Sequence, residues 1–322
     1  MKIIRILSIS SIALLSASLV GCGQQGAQEL SAAPSTVGAA GSPSSPGPLV
    51  QRQGWPAEVP TSGLVKGKQL PLEKFMISYA DEMLIQEARD TVELSCMQRL
   101  GFPGWKTETI GSNPPLSSNS SNMQRRYGLS DASQAAQNGY QLPARSQRNG
   151  AQDIAGQETP EAVVALTGKS NTGERAKELK GRSLPENGCI GEVQRTVGNS
   201  NMDLVEELSI KSFEQSQGSP EVREAMARWS TCMKGKGYSV KTIWEAGELI
   251  DPTKGESGVD ETHLAASEVE CKEQTSLIDI WFTSEKAVQE QLIKKHSAEL
   301  VQASAKNEEI IQQARATVLP SS

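Results

Sequence analysis

Histidine is almost missing from this chain: His263 and His296 are the two imidazoles in 322 residues. So few leave little for acid–base chemistry at neutral pH, and neither stands in a metal-ligand spacing such as H-E-x-x-H. Aromatic residues make up 4%, so a core has to rest on aliphatic side chains and a few tryptophans. Basic residues are not in excess either, with 32 against 38 acidic ones and a formal net charge of −6. That excludes an electrostatic grip on nucleic acid as a main function and leaves a mildly acidic, soluble surface. A nucleophile elbow of the G-x-S-x-G type is absent as well. Leu166-Thr167-Gly168-Lys169-Ser170 carries the tail of a phosphate loop, but Val163 stands where the earlier glycine is required. It reads as a helix stop. No catalytic residue, cofactor site or metal site is therefore expected.

Long apolar runs are also scarce, and the one at the start is short. Lys2 and Arg5 give a positive beginning, and residues 6–20 are uncharged and rich in Ile, Leu, Val, Ala and Ser. This is the build of a secretory signal and falls short of the about 20 apolar residues of a comfortable membrane span. Leu19-Val20-Gly21-Cys22 follows, and it resembles the lipobox of bacterial lipoproteins. In that family the cysteine thiol receives a diacylglyceryl group and becomes the new N-terminus, so the resemblance implies lipidation of Cys22 and a signal peptide over residues 1–21. Two acyl chains anchor stably where one is marginal. The rival is an ordinary secretory signal that ends by accident at a cysteine. Residues 22–68 are rich in Gly, Ser, Ala, Pro and Gln, a composition that reads as a disordered tether. A helical domain is expected over residues 69–322.

With Cys22 set aside, Cys96, Cys189, Cys232 and Cys271 remain. An even number in an exported chain points to two disulfides, because the extracytoplasmic space is oxidising. Zinc is a competing use of four cysteines, but no two of these form a C-x-x-C pair, and free buried thiols are the remaining alternative.

The remaining periodicity is helical. Ser78 and Asp81 mark a helix start, with Ile85, Ala88, Val92 and Cys96 on the inner face and Gly101 as the stop. Ser130 is expected to cap a short helix that ends at Gly139, after a Ser/Asn-rich loop over residues 111–122. Thr159-Pro160-Glu161 opens another helix that ends at Gly168. Further segments run from near Asn187 to Gly198, with Cys189 and Val193 inward, and over residues 201–213. Ser219-Pro220-Glu221 repeats the start signal before an inner stripe of Val222, Ala225, Trp229 and Cys232. Residues 260–318 hold no proline and read as one long helix or two with a kink, with Leu264, Cys271, Ile278, Trp281, Val288 and Leu292 on one face. Leu300, Ile310, Ile311 and Ala314 continue that signal more weakly. Residues 238–243 are the best strand candidate, or else an extended loop. The fold class is mainly α: a disulfide-stapled helical domain with a long C-terminal helix.

An internal echo narrows the disulfide pairing. Cys96-Met97-Gln98-Arg99-Leu100-Gly101-Phe102 and Cys232-Met233-Lys234-Gly235-Lys236-Gly237-Tyr238 both read C-M-x-x-x-G-aromatic at a helix end. Each is followed much later by one further cysteine. Two pseudo-repeat halves, about 69–200 and 219–318, would each close their own bridge, 96 with 189 and 232 with 271, out of three pairings.

These helix ends, together with Arg125-Arg126-Tyr127-Gly128-Leu129, Gly139-Tyr140-Gln141-Leu142-Pro143 and Glu270-Cys271-Lys272, resemble a group of uncharacterised lipoproteins from high-GC Gram-positive bacteria. The likeness lies in scattered blocks after about residue 70. It implies an extracytoplasmic, lipid-anchored helical protein at the cell membrane and no mechanism. The functional expectation is a non-enzymatic envelope interaction or structural protein, anchored through Cys22 and contacting an envelope protein, with the part of the terminal helix beyond Leu292 either a partner surface or simply exposed. A solute-binding lipoprotein of a transporter is the alternative, although strands and helices do not alternate as two lobes would require. His263 and His296 are placed on the last helix at exposed or flanking positions, and the carboxylate pairs Glu206-Glu207 and Glu308-Glu309 are read as solvated helix faces.

Overall fold

A computed structural model describes residues 54–107, 114–142, 159–170, 172–250 and 259–319. Leu72 in a short 3-10 helix (Pro71–Phe75) is fully buried, and α1 (Tyr79–Arg99) follows. The Ser78 hydroxyl accepts the Asp81 N–H at 3.1 Å, which satisfies one of the unpaired donors of the first turn. In α2 (Ala132–Asn138) the cap is Asp131, not Ser130: the carboxylate accepts the N–H groups of Ser133 and Gln134 at 2.9 and 3.1 Å. Ser130 turns inward instead and donates to the Gln124 carbonyl at 3.0 Å. Next come α3 (Pro160–Thr167), with its Thr159 cap and Gly168 stop, a two-residue antiparallel hairpin of β1 (Glu178–Leu179) and β2 (Arg182–Ser183), and α4 (Gly188–Thr196). The chain continues through α5 (Asp203–Gln217) and α6 (Pro220–Gly235), whose Ser219 hydroxyl accepts the Val222 N–H at 3.3 Å.

After α6 the loop alternative holds for residues 238–242, which form no strand; Thr242 caps α7 (Ile243–Glu248), and the Val240 carbonyl accepts the Ser230 hydroxyl at 2.5 Å. One expectation is corrected after it. The long terminal run is three helices, α8 (Glu261–Thr275), α9 (Leu277–Lys295) and α10 (Ser297–Val318). Ser276 breaks the first junction in the left-handed region at φ +53°, and His296 marks the second. Among the described residues no helix is long and apolar enough to cross a membrane.

The cores form where these inner faces meet. Trp229 of α6 and Trp281 of α9 are fully buried with Tyr127, Leu264, Cys271 and Ile278 around them. Ile85, Ala88 and Val92 of α1 pack against Ile310, Ile311 and Ala314 of α10. The terminal helix is thus an internal packing element along that face, which removes those residues from a partner surface; Val301 points outward at 61% exposure. Packing also starts earlier than the expected end of the tether at residue 68. Val65 is buried, the Leu64 N–H reaches the Ser130 carbonyl at 2.7 Å, and Lys68 pairs with Asp279 at 2.5 Å. One valine and one leucine among polar neighbours escaped a compositional reading.

Cys96 bonds to Cys189 and Cys232 to Cys271, each pair with Cα atoms 5.7 Å apart. The echoed helix ends share their hydrogen bonds as well as their letters. The Leu100 and Lys236 N–H groups reach the Cys96 and Cys232 carbonyls at 3.1 and 3.2 Å. The Phe102 and Tyr238 N–H groups reach the Met97 and Met233 carbonyls at 3.0 and 2.9 Å. Gly101 and Gly237 supply the positive φ, +101° and +93°, that turns the chain out of each helix.

Candidate functional site

The most concentrated chemistry lies inside the domain, around residues 125–129. Arg126 lies flat against Glu285: its Nε is 3.0 Å from both carboxylate oxygens and its Nη2 also donates to Oε1. The same guanidinium donates to the carbonyls of Ser121 at 3.0 Å and Ser209 at 2.8 Å, above the Phe213 ring at 5.3 Å. Glu285 is wholly buried and further accepts the Tyr127 hydroxyl at 2.9 Å, the Ser212 hydroxyl at 2.9 Å and Gln289 Nε2 at 3.2 Å. Gln289 in turn accepts the Leu72 N–H at 2.9 Å. Burial, and after it the Glu285 charge, drives the Tyr127 phenol well above its ordinary pKa. It stays a donor.

A second buried ion pair lies within α8. Lys272 Nζ donates to Glu268 Oε1 at 2.5 Å and to the carbonyls of Tyr127 and Leu129, both at 2.8 Å. Burial lowers the pKa of this amine, and Glu268 works against that shift. The other Glu268 oxygen accepts the Tyr140 hydroxyl, whose pKa burial and the Glu268 charge both raise. Tyr140 is fixed by its N–H to Glu261 at 2.9 Å, and Arg125 donates to the carbonyls of Tyr140 and Gln141 at 3.3 and 3.2 Å. Both networks close on themselves, with the central ionisable side chains buried and hydrogen-bonded. Paired in this way, these side chains tie α8 and α9 to the segment at residues 125–129.

Gly128 sits between the two networks at φ +75°. A methyl group there would stand 2.8 Å from Lys272 Nζ and 3.2 Å from Glu268 Oε1. Gly128→Ala combines left-handed backbone strain with that crowding and is expected to lower stability by about 3 kcal/mol, read from urea denaturation. A loss below about 0.5 kcal/mol would show that the lysine has room to move.

Asp90, in α1, is the buried carboxylate with the least support. It is 5% exposed, its Oδ1 accepts Gln86 Nε2 at 2.9 Å, and its Oδ2 has no hydrogen-bond partner among the described residues. Burial lifts its pKa from 3.8 to about 6, with the Gln86 bond opposing. A raised carboxylate binds its proton more tightly in the folded chain, so its contribution to stability is full at low pH and declines as pH rises between about 4 and 6. Asp90→Asn is expected to add about 2–3 kcal/mol at pH 8 and little at pH 4. Equal effects at both pH values would contradict the sign.

The other residues singled out from sequence are placed as follows. Cys22 lies outside the described residues. His263 is exposed, with Nδ1 2.7 Å from the Tyr238 hydroxyl, and His296 has Nδ1 3.9 Å from Glu299. Glu206, Glu207, Glu308 and Glu309 are all exposed, and Glu309 pairs with Lys306 at 3.0 Å. Among the described residues no group of three or more His, Cys, Asp or Glu is placed to hold a metal. The buried charges were missed, although their spacing was visible. Glu268, Lys272, Glu285 and Gln289 recur at helical intervals with the inward Leu264, Trp281 and Leu292, where a charged side chain has to find a buried partner.

A pocket of about 260 Å³ opens where residues 56–65 meet residues 116–134. Pro60, Val65, Leu116 and Leu129 give it apolar walls, and Arg125 and Asp131 both reach it. A second, of about 360 Å³, runs along α6 past Val222, Met226 and Thr242. Comparison with protein-family models, with curated proteins and with solved structures finds no match to the chain.

Proposed function

We propose that this chain is an exported lipoprotein, cut before Cys22 and held by lipid on that cysteine to the outer face of the cell membrane. There it presents a rigid helical domain as an interaction or structural component of the envelope. The observation that carries this reading is the state of the other four cysteines, which form two bridges inside one folded region. Bridges of that kind belong to oxidising compartments. They leave Cys22 as the odd thiol, at the position where the lipobox resemblance requires acylation.

The likeness to lipoproteins of high-GC Gram-positive bacteria supports the same reading, because its blocks have structural work in this domain. Residues 125–129 hold both buried ion pairs, and Tyr140 completes one of them. A non-enzymatic role is favoured because the strongest ionisable clusters are committed to each other. One observation favours solute capture as a second reading: the pocket that Arg125 and Asp131 share.

Cys22→Ala tests the anchor. The wild-type chain should partition with the membrane and incorporate labelled fatty acid, whereas the variant should do neither. Retention of label by the variant would overturn the assignment of Cys22.

A further inference from the structure

We propose that the pocket at residues 56–65 and 116–134 binds a small zwitterion, a free α-amino acid with an apolar side chain, between Arg125 and Asp131. This goes beyond the anchoring reading and does not depend on it.

The pocket holds two opposite charges that are not paired with each other. Arg125 is half-buried and donates to the carbonyls of Tyr140 and Gln141, and among the described residues no carboxylate lies within ion-pair distance of it. Behind it, Glu268 is already engaged by Lys272. Among the described residues Arg125 is therefore the one cation of the pocket lining, and a ligand carboxylate would give it the counter-ion it lacks. Burial lowers the Arg125 pKa, and the Glu268 charge opposes the shift. Asp131 supplies the opposite charge. The Ser62 hydroxyl, and after it the Gln134 and Ser133 N–H groups, hold its carboxyl below the ordinary value, so it is anionic at neutral pH.

Size and lining narrow the ligand class. A volume of about 260 Å³ lies below the roughly 300–1,000 Å³ of sites for drug-sized molecules. Pro60, Val65, Leu116 and Leu129 would take a short aliphatic side chain, while a bare inorganic anion would leave those walls uncovered and be repelled by Asp131. A molecule with one carboxylate, one ammonium and a small apolar body meets all three parts of the lining. Recognition of this kind disfavours analogues that lack either charge, because Arg125 or Asp131 then loses the opposite charge that the free amino acid supplies.

The test is calorimetric titration of the full chain with L-alanine, L-valine and L-proline, each compared with its carboxamide and its N-acetyl derivative. The free amino acid should bind, and either derivative should bind at least roughly tenfold more weakly. Arg125→Gln should remove binding. Asp131→Asn, which keeps a residue able to cap α2, should abolish the discrimination against the N-acetyl form. Arg125→Lys serves where the glutamine variant melts early, and should retain weakened binding. Equal affinity for amino acid and derivatives, or no heat with any of the three up to about 10 mM, would overturn the proposal.

Discussion

Glu285→Gln is expected to lower the stability of the domain by about 3–5 kcal/mol, a large share of the about 5–15 kcal/mol that holds a typical domain together. The carboxylate accepts from Arg126, Tyr127, Ser212 and Gln289, and its side chain is closed to solvent. An amide in its place removes the charge that balances Arg126 and turns one acceptor into a donor facing donors. The penalty comes chiefly from the guanidinium left buried without its counter-ion. Replacing Arg126 and Glu285 together with methionine should therefore cost less than Glu285→Gln alone, since no unpaired charge remains and Ser212 keeps its bond to the Ser209 carbonyl at 2.8 Å. Urea denaturation of the two variants and the parent checks the order. A loss under about 1 kcal/mol for Glu285→Gln would mean that water reaches the site and that the network is not the closed core described above.

Removal of the Cys96–Cys189 bridge, as a double alanine variant, should cost about 2–5 kcal/mol, and removal of Cys232–Cys271 somewhat less. In the chain-entropy picture a bridge stabilises by restricting the unfolded chain, and the restriction grows slowly with loop length. The two separations are 93 and 39 residues, which correspond to about 5 and about 4 kcal/mol before any native-state strain. With aromatics at 4%, the aliphatic clusters have limited means to make up such a loss. Accessibility orders reduction as well. Cys96, Cys189 and Cys271 are fully buried and Cys232 is partly open, so mild reductant should cut the second bridge first. Simultaneous reduction would indicate that the domain opens as a unit before either bridge reacts.

The helices with paired start and stop signals were legible in the residues. Ser78, Thr159 and Ser219 each cap the helix expected of them, and Gly168 ends α3, because a side-chain oxygen before the first turn and a residue tolerant of positive φ after the last are local requirements. The pairing of 96 with 189 and 232 with 271 was legible for a different reason: the same seven-residue pattern makes the same turn twice.

The misses share a cause, since each depended on a partner distant in sequence. Ser276 gives no breaker signal, and the inner-face spacing of Leu264, Cys271 and Ile278 runs straight through it, so the junction between α8 and α9 was invisible. Ser130 and Asp131 are both good caps, and the choice fell to Asp131 because the Ser130 hydroxyl is drawn to Gln124. The outer end of the last helix looked free because its apolar residues are sparse. Ile85, Ala88 and Val92 of α1, more than two hundred residues earlier, provide the face that buries it. The pocket was hidden for the same reason, as Pro60 and Val65 fall within what composition marks as tether.

The most direct measurement is a thiol inventory of the protein taken from intact cells, alkylated without reduction and then mapped by mass spectrometry. No cysteine should take up the alkylating agent: residue 22 should open the mature chain with its sulfur in a thioether to lipid, and the other four should appear as the linked peptides 96–189 and 232–271. A chain that still begins at Met1, with an alkylated Cys22 and free thiols elsewhere, would contradict both the export and the anchor.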